Sequence, residues 1–342
     1  MRIPIQNIFY LLSYAWNRLD EAQLVEIDAA SDTELLDMFA RVLGSGVDHV
    51  IRRGLDRGYV LHEESIPGIK GKLLFGSTLA ELPRRSGRSH CAFDDLSYDV
   101  LPNQILKATM RALLSARELN KDNRAMLADA LRRFAWVGDV ELSGNLFRRV
   151  QLHRNNAFYG FLLDVCALIN ENLLPGESPG DTKFRDFTRD ESKMALLFQQ
   201  FLRNFLDREQ AVYKIQSPQL RWLASGSVAD ISMLPIMQTD IVATNSARKV
   251  VIDTKFYGEA LQSSQYKVTV RSDHLYQMFA YLRHMRENTP TSASVEGVVV
   301  YPTVNRALDL QYFLDGHRFS IRTLNLDQDW HGIHSDALAL LS

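Results

Sequence analysis

Two aspartates and a lysine stand in a segment whose residue pattern predicts a β-hairpin. Asp240 lies in the first predicted arm, and Asp253 and Lys255 lie two residues apart in the second. Side chains alternate along a strand, so Asp253 and Lys255 share one face. A two-residue turn at 246–247 would place Asp240 opposite Asp253, with Cβ atoms about 5 Å apart. Turn composition does not fix the register, and a slip of one residue would separate the two carboxylates.

Two neighbouring carboxylates beside an ammonium group are suited to binding a divalent cation. Carboxylates repel each other, and a strand otherwise filled with Val and Ile rarely buries them without a compensating cation. Mg²⁺, or Mn²⁺ in its place, takes one or two carboxylates together with waters and phosphate oxygens, and a nearby lysine stabilises the attacking hydroxide or the pentacovalent phosphorus. The pattern therefore indicates phosphodiester hydrolysis, with Asp240 and Asp253 as metal ligands.

A structural role is equally compatible with the spacing of these three residues. A D-x-K tripeptide arises often by chance, and Asp253 and Lys255 would then be a solvated strand end and Asp240 a surface residue. The next predicted helix favours the catalytic interpretation, because Gln277 and Tyr281 stand four residues apart. Residues at i and i+4 share one helix face, so both side chains can reach a metal-bound phosphate or a base from the same side.

The order of these residues resembles the PD-(D/E)xK nuclease core of the RecB-like type. In that core an aspartate is followed by D-x-K after a hairpin and by Q-x-x-x-Y on the next helix. Over nearly its whole length the chain is also similar to the McrC family, the nuclease subunits of McrBC modification-dependent restriction systems. The matching stretches, in the same order, are residues 3–10 with 14–16, 66–72, 93–94 with 103–107, 234–235 with 239–241, 253–257, 275–277 and 300–302.

The resemblance implies a Mg²⁺-dependent type IV restriction endonuclease subunit that hydrolyses double-stranded DNA in the cytoplasm. In this family the partner is McrB, a hexameric AAA+ GTPase that recognises methylcytosine and whose GTP hydrolysis the nuclease subunit stimulates. By position, the family's metal ligands fall on Asp240 and Asp253, and its electrostatic, water-orienting lysine falls on Lys255. Gln277 and Tyr281 fall on the assisting catalytic positions.

The chain itself fits the role of a partner-dependent subunit. No G-x-x-x-x-G-K-[ST] motif occurs, so we expect the chain to bind no nucleotide itself. The alternative is a non-catalytic regulatory subunit that activates the GTPase ring and keeps a vestigial nuclease core. A carboxylate common in the family near an L-F-x-x-F stretch is absent, because Gln199 and Gln200 stand there. The family's additional metal-shell ligand therefore has no carboxylate at this place. Glu191, one to two turns earlier, is the alternative source of one, but a helix-capping role near Asp190 is favoured for it.

The surrounding elements predict a mixed α and β chain of two domains. Residues 1–150 are expected to form a helical domain with a small β-rich, barrel-like unit, and residues 151–342 an α/β PD-(D/E)xK endonuclease domain. Two prolines and two glycines at 174–181 predict a loop near the domain change. Apolar residues at helical spacing predict helices at about 5–16, 31–53, 103–134, 158–174, 191–206 and 272–286.

The β-rich unit at about 59–100 lies in the region that, by resemblance, docks onto the partner ring. Its glycines Gly68 and Gly71 are also suited to turns of a small barrel. Three arginines, Arg84, Arg85 and Arg88, form a basic loop there. Such a loop is able to touch phosphate or acidic groups of the partner, but we expect it to be a solvated surface.

The composition of the 342 residues excludes several classes of protein. Lys and Arg number 39 against 41 Asp and Glu, so the net charge of −2 provides no general attraction to a polyanion. No apolar run approaches the ~20 residues of a membrane span, and the start does not resemble a signal peptide, so we expect a soluble protein. Cys91 and Cys166 lack metal-ligand spacing and are expected to be buried as apolar side chains.

Histidine and aromatic residues of the C-terminal half are expected to be structural. His331 and His334 lie beside an aspartate but lack a third ligand spacing, so we expect no metal there. Base recognition is expected to fall to the partner. The aromatic residues expected to form core and groove wall, rather than a base-stacking platform, are Phe256, Tyr257, Tyr276, Phe279 and Tyr281.

Overall fold

Helix α1 (Ile5–Ala15) forms where apolar residues recur at helical spacing, and it buries one face. It packs against residues of the C-terminal half of the chain. The ring of Tyr14 lies 5.2 Å from that of Phe205. The side-chain amide of Asn7 donates to the carbonyl oxygens of Leu326 and Gln328, at 2.8 and 2.9 Å. The N-terminal helix is thereby fixed to a unit made mainly of later residues.

The computed structural model describes residues 3–25, 34–77, 88–152, 156–176, 180–257, 261–263, 268–303 and 307–342. It divides into one unit of Met1–Leu19 with Asp186–Ser342 and a second unit of Asp20–Arg185. The predicted single boundary at residue 150 differs from this division, whose boundaries follow Leu19 and Arg185. The reason is packing, since α1 belongs to the later unit and the helix at 157–172 belongs to the earlier one.

Helices of the Asp20–Arg185 unit pack around α3, which contacts three of them. The predicted helix at 103–134 is two helices, α4 and α5. The described elements are α2 (Leu19–Ala22), α3 (Leu35–Arg53), β1 (Gly58–Pro67), β2 (Lys72–Leu73), β3 (Arg88–Ser97), α4 (Leu101–Leu114), α5 (Lys121–Arg132), α6 (Gly144–Arg148), α7 (Ala157–Asn172), β4 (Leu173–Pro175) and β5 (Thr182–Phe184).

Strands β1, β3 and β2 form an antiparallel sheet in that order. Within the described residues it is an open sheet with two edges, so the barrel-like prediction is wrong for this part. Gly68 and Gly71 adopt φ of +88° and +69°, as the turn interpretation requires. Arg88 begins β3, and its guanidinium hydrogen-bonds to Ser65 rather than standing in a loop. The other two arginines of the predicted basic loop, Arg84 and Arg85, lie outside the described residues.

The other unit contains a six-stranded sheet of order β14-β15-β13-β10-β9-β6. Its pairs β10–β13 and β13–β15 are parallel and the remaining pairs are antiparallel. The elements after α1 are α8 (Glu191–Glu209), β6 (Lys214–Gln216), β7 (Gln219–Leu220), α9 (Val228–Ser232), β8 (Met237–Gln238), β9 (Ile241–Thr244), β10 (Arg248–Thr254), β11 (Leu261–Ser263), β12 (Val268–Val270), α10 (Ser272–Glu287), β13 (Ser294–Pro302), β14 (Asp309–Leu314), β15 (His317–Leu324) and α11 (Trp330–Ala339).

Strand β10 is buried on both faces. On one face, Val251 packs with Met278 and Tyr281 of α10. On the other, Val250 and Ile252 are also buried. The run of Val and Ile in β10 follows from this position, since a strand covered on both sides has no solvent face. The prediction of a mixed α and β chain is confirmed. Of the described helices, none combines the length and the apolar character needed to cross a membrane.

Candidate active site

Strands β9 and β10 form the hairpin expected from the sequence. Their pairing ends with Ile252 opposite Ile241, which is the register of a two-residue turn at 246–247. Continued by one residue, this register brings Asp240 opposite Asp253. The two carboxylates are therefore carried to the same end of neighbouring strands.

Asp253 is buried near the carboxyl end of a central strand, with 1% of its surface exposed. Its Oδ2 lies 2.9 Å from Nζ of Lys255, and its Oδ1 accepts no hydrogen bond from any described residue. The backbone N–H of Lys255 donates to the carbonyl oxygen of Val300 at 2.9 Å, which extends the parallel pairing with β13 by one residue. For Asp253, the interpretation as a solvated strand end is therefore wrong.

Asp240 is half-buried and is oriented by the strand opposite it. Its Oδ2 accepts hydrogen bonds from the backbone N–H and the hydroxyl of Thr254, at 2.7 and 2.8 Å. Both bonds come from one residue at the end of β10, so the Asp240 carboxylate cannot turn away without losing the pair. The position of this carboxylate thus depends on the residue between Asp253 and Lys255.

Helix α10 contributes two side chains that hold the lysine in place. Gln277 Oε1 accepts a hydrogen bond from Lys255 Nζ at 2.9 Å. Gln277 Nε2 donates to the Tyr281 hydroxyl at 2.8 Å, and that hydroxyl donates to the carbonyl oxygen of Gln238 at 2.7 Å. The i, i+4 pair therefore lies on one helix face and links α10, β8 and the ammonium group. The structure brings all five predicted site residues into one neighbourhood.

The charges of this neighbourhood shift one another. Burial raises the pKa of Asp253 from 3.8 to about 6, while Lys255 opposes this rise and Asp240 adds to it. Burial lowers the pKa of Lys255, but attraction to Asp253 and Asp240 outweighs that effect and leaves the pKa above its ordinary value. The net result is a buried carboxylate that is incompletely neutralised by one ammonium group.

The residues present fit a hard divalent cation bound through oxygen. A buried carboxylate oxygen without a hydrogen bond is costly, and a cation at this point would relieve that cost. Asp240 and Asp253 are the residues able to hold it. Across the described ranges, no group of three or more His, Cys, Asp or Glu side chains is arranged to bind a metal. The candidate set is thus two carboxylates, which Mg²⁺ commonly accepts together with water and phosphate oxygens.

Two residues beside the site were not singled out by the sequence pattern. His274 of α10 is buried, and its Nδ1 lies 2.6 Å from the hydroxyl of Tyr301 in β13. Burial and the nearby Lys255 lower the pKa of His274 to about 4, so its ring is neutral at pH 7. The available signal was that His274 precedes Gln277 by one helical turn and that Tyr301 ends a buried Val-rich strand.

The predicted aromatic core and groove wall divides into buried and exposed residues. Tyr281 is buried, and the ring of Phe256 packs edge-on against Phe198. By contrast, Tyr276 is 74% exposed and Phe279 is 42% exposed, so a core role is wrong for these two. They lie on the side of α10 that the sheet leaves uncovered.

Other polar residues considered from the sequence have structural contacts. Asp190 caps α8 by accepting from the backbone N–H of Lys193 at 3.2 Å, whereas Glu191 is exposed. His331 lies 2.7 Å from Asp329, the residue that caps α11, and His334 lies 3.4 Å from Glu209. Both cysteines are free and buried as expected. The half-buried Gln199 and Gln200 lie on α8.

Comparisons with known proteins agree over nearly the whole chain. The Type IV methyl-directed restriction enzyme EcoKMcrBC of Escherichia coli (strain K12) is 33% identical over 338 residues, which are 98% of this chain and 96% of that protein. A similar fold occurs in the refined half-complex from the tetradecameric assembly of Thermococcus gammatolerans McrB AAA+ hexamers with bound McrC. That match has a TM-score of 0.61 and 18% identity, and it covers 97% of this chain and 76% of the other.

A sequence profile of one family covers most of these elements. The profile of the McrBC 5-methylcytosine restriction system component matches residues 6–302, a range that begins in α1 and ends with β13. All five candidate site residues lie inside the matched range. This chain belongs to the family of McrBC 5-methylcytosine restriction system components.

Proposed function

We propose that the chain is the Mg²⁺-dependent DNA endonuclease subunit of a methylcytosine-directed restriction complex, with a nuclease core of the PD-(D/E)xK type. One observation carries this proposal. Asp253 is buried in a central strand, its Oδ1 has no hydrogen-bond partner in the described part of the chain, and it shares the strand end with Asp240 and Lys255. A merely structural aspartate in that position would be expected to have both oxygens hydrogen-bonded.

The roles of the residues follow from their contacts. Asp240 and Asp253 would hold Mg²⁺, which when bound supplies charge neutralisation and a water of lowered pKa for attack on phosphorus. Lys255, held between Asp253 and Gln277, directs its ammonium group at the charge that develops on the phosphate oxygens. Tyr281 keeps Gln277 oriented, so it is a positioning residue. The attack breaks a phosphorus–oxygen bond of the DNA backbone.

The proposed partner is a McrB-like hexameric AAA+ GTPase whose GTP hydrolysis this chain stimulates. Two findings support it: the E. coli relative is a methyl-directed restriction enzyme, and the T. gammatolerans assembly contains McrB hexamers with bound McrC. The chain carries no G-x-x-x-x-G-K-[ST] motif, so nucleotide binding is assigned to the partner. The substrate is double-stranded DNA, and the site of action is the cytoplasm.

A regulatory subunit with a vestigial nuclease core is the second candidate. The observation that favours it is the small set of candidate ligands, which among the described residues consists of two carboxylates. Such a subunit would stimulate the GTPase ring and cleave nothing. It would also gain no stability from Mg²⁺ or Mn²⁺, because a metal stabilises a protein only by binding its native state.

The test mixes the chain with its AAA+ partner, GTP, Mg²⁺ and plasmid DNA with or without methylated cytosine. We expect the wild type to cleave the methylated plasmid. We expect Asp253→Asn to cleave neither plasmid while it still stimulates GTP hydrolysis. Asp327→Asn, which changes an exposed carboxylate remote from β10 in the sequence, should cleave as the wild type does. Stimulation without cleavage by the wild type would favour the regulatory candidate, and equal cleavage of both plasmids would overturn methylation dependence.

A further inference from the structure

Three side chains stack beside the candidate active site. The guanidinium carbon of Arg271 lies 5.0 Å from the ring centre of Tyr257. The Tyr257 ring stacks on that of His274, with centres 5.4 Å apart and planes at 24°. We call Arg271, Tyr257 and His274 the guanidinium stack. None of the three was assigned to catalysis above.

The stack is anchored at its inner end and open at its outer end. His274 is buried and hydrogen-bonded to Tyr301 in β13, so the base of the stack is fixed to the central sheet. Tyr257 is partly exposed, and Arg271 keeps 31% of its side-chain surface exposed. The neutral His274 ring adds no second positive charge. The stack therefore holds one cationic group at the surface in a fixed place.

Among the described residues, the carboxylate of Asp273 forms a long ion pair with Arg271. Asp273 Oδ1 lies 3.8 Å from Nε, which is beyond hydrogen-bonding distance, and that side chain is 64% exposed, so solvent screens the pair and leaves the guanidinium charge incompletely neutralised. Nε itself is buried without a hydrogen-bond partner among the described residues. Stacking on an aromatic ring uses the flat face of a guanidinium and leaves the N–H groups at its edge able to bind an anion. Guanidinium forks match the geometry of phosphate oxygens.

The position of the stack relates it to the lysine of the site. Tyr257 follows Lys255 by two residues, and His274 precedes Gln277 by one helical turn. Lys255 and Gln277 are hydrogen-bonded to each other, so the stack lies next to this pair in the sequence on both sides. A DNA strand lying with one phosphate at Lys255 would carry its next phosphates along the surface beside it. The cation held in the stack is a fitting partner for one of them.

We propose that Arg271 binds a backbone phosphate of the DNA adjacent to the scissile one and thereby positions the strand in the active site. This inference rests on the proposed nuclease function. Tyr257 and His274 act through Arg271, as positioning residues that fix the direction of its guanidinium. Because the contact is to phosphate, it adds affinity for DNA of any sequence.

The experiment measures binding of the full-length chain to a 30-base-pair duplex in EDTA, over a series of salt concentrations. A phosphate contact contributes about 0.9 to the slope of log K against log salt. We expect Arg271→Ala to lower that slope by about this amount and to weaken binding about tenfold at low salt. Arg271→Lys should keep the slope, because the charge remains, and should bind with intermediate affinity. The control is Arg283→Ala, which removes an exposed arginine from α10 and should leave the slope unchanged.

A slope for Arg271→Ala equal to that of the wild type would overturn the inference. So would a slope for Arg283→Ala that is lowered as much as that of Arg271→Ala. A wild-type chain that binds no duplex would overturn it too. The plasmid assay separates these results from a failure of the proposed function. Wild type that cleaves methylated plasmid while Arg271→Ala binds and cleaves identically would leave the nuclease intact and remove only the role of Arg271.

Discussion

Asp253 is the residue at which the fold and the proposed chemistry conflict. Its carboxylate is buried, and one ammonium group does not fully compensate for the lost hydration. A protein that kept such a residue for stability alone would do better with an apolar or amide side chain. The unfavourable burial of this charge is explained if the carboxylate is part of a binding site that a cation completes.

This conflict predicts a pH dependence of stability. The pKa of Asp253 is raised from 3.8 to about 6 by folding, so between these values the folded chain binds more protons than the unfolded chain. The free energy of unfolding should therefore fall as pH rises through this window, by roughly 3 kcal/mol in total, and should not recover above it. Urea unfolding of the metal-free chain from pH 4 to pH 7 measures this loss.

The matched variant is Asp253→Asn, which cannot titrate at this position. The difference in unfolding free energy between wild type and variant should change with pH across the window, and Mg²⁺ at pH 7 should stabilise the wild type alone. Parallel curves for the two proteins would contradict the raised pKa. The comparison cancels the titration of groups remote from position 253, whose pKa values the substitution does not change.

At the scale of elements, the β1–β3 sheet is fixed at its root by a small polar network. The fully buried Asn103 donates to the carbonyl oxygens of Asp56, just before β1, and of Tyr98, just after β3, at 3.0 and 2.7 Å. The Tyr159 hydroxyl donates to Asn103 Oδ1 at 2.9 Å and accepts from the N–H of Asp56 at 2.8 Å. One amide thus joins the start of β1 and the end of β3, which lie at the same end of the sheet, to helices α4 and α7.

Replacing that amide should loosen the sheet while leaving the other unit unchanged. Asn103→Leu removes three hydrogen bonds, two to half-buried carbonyls and one from the buried Tyr159 hydroxyl, so we expect a loss of about 2–5 kcal/mol in stability of this unit. Amide hydrogen exchange should accelerate in β1 and β3 and stay constant in β10 and β13. Asn145→Leu, at an exposed position of α6, is the control. Equal acceleration in all four strands would show that the network does not act locally.

Two glycines of the same sheet provide a paired test of turn geometry. At Gly71 (φ +69°) an added Cβ would lie 2.5 Å from the Ala92 carbonyl oxygen, whereas at Gly68 (φ +88°) it would meet nothing. Gly68→Ala should cost about 1 kcal/mol, from backbone strain alone. Gly71→Ala should lower the free energy of unfolding by clearly more, because the backbone at Gly71 or Ala92 must also move to relieve the close contact. Thermal unfolding of both variants checks the order, and equal losses would contradict the close approach.

Local patterns predicted some of these elements well because the information needed is local. Given a two-residue turn at 246–247 the β9–β10 register follows, although turn composition alone left that register open. The shared face of Gln277 and Tyr281 follows from helix geometry. The contact of His274 with Tyr301 joins residues 27 apart through the packing of α10 on β13, which no periodicity reveals. Arg271 was missed for the same reason. It stacks on Tyr257, but β11 and β12 separate the two residues in the sequence, and neither strand's residue pattern indicates the contact.

At the scale of the whole molecule, the division into units was mispredicted because composition and loops do not show which helices pack together. Helix α1 is amphipathic whichever unit it covers. Long-range contacts assign α1 to the later unit. For example, the side-chain amide of Asn204 donates to the carbonyl oxygens of Tyr14 and Ala15 at 2.9 and 3.0 Å. The unit of Asp20–Arg185 is consequently inserted between α1 and α8.

This insertion predicts the behaviour of fragments. Residues 186–342 alone should be unstable, because the apolar surface of α8 that α1 covers would be exposed to water. Residues 3–19 joined to 186–342 by a flexible linker should fold, and the inserted unit, residues 20–185, should fold separately. Circular dichroism and urea unfolding distinguish the fragments. Equal stability of the two later-unit fragments would contradict the packing of α1.

The insertion also sets an order of events during translation. Helix α1 leaves the ribosome before α8 and cannot pack until α8, which ends at Glu209, has been made. Meanwhile the inserted unit is complete at Arg185 and is free to fold on its own. The apolar face of α1 therefore stays uncovered while residues 16–209 are made, which is 194 residues at about 5–20 residues per second. Nascent chains of this protein should need protection by chaperones at α1 until α8 has been made.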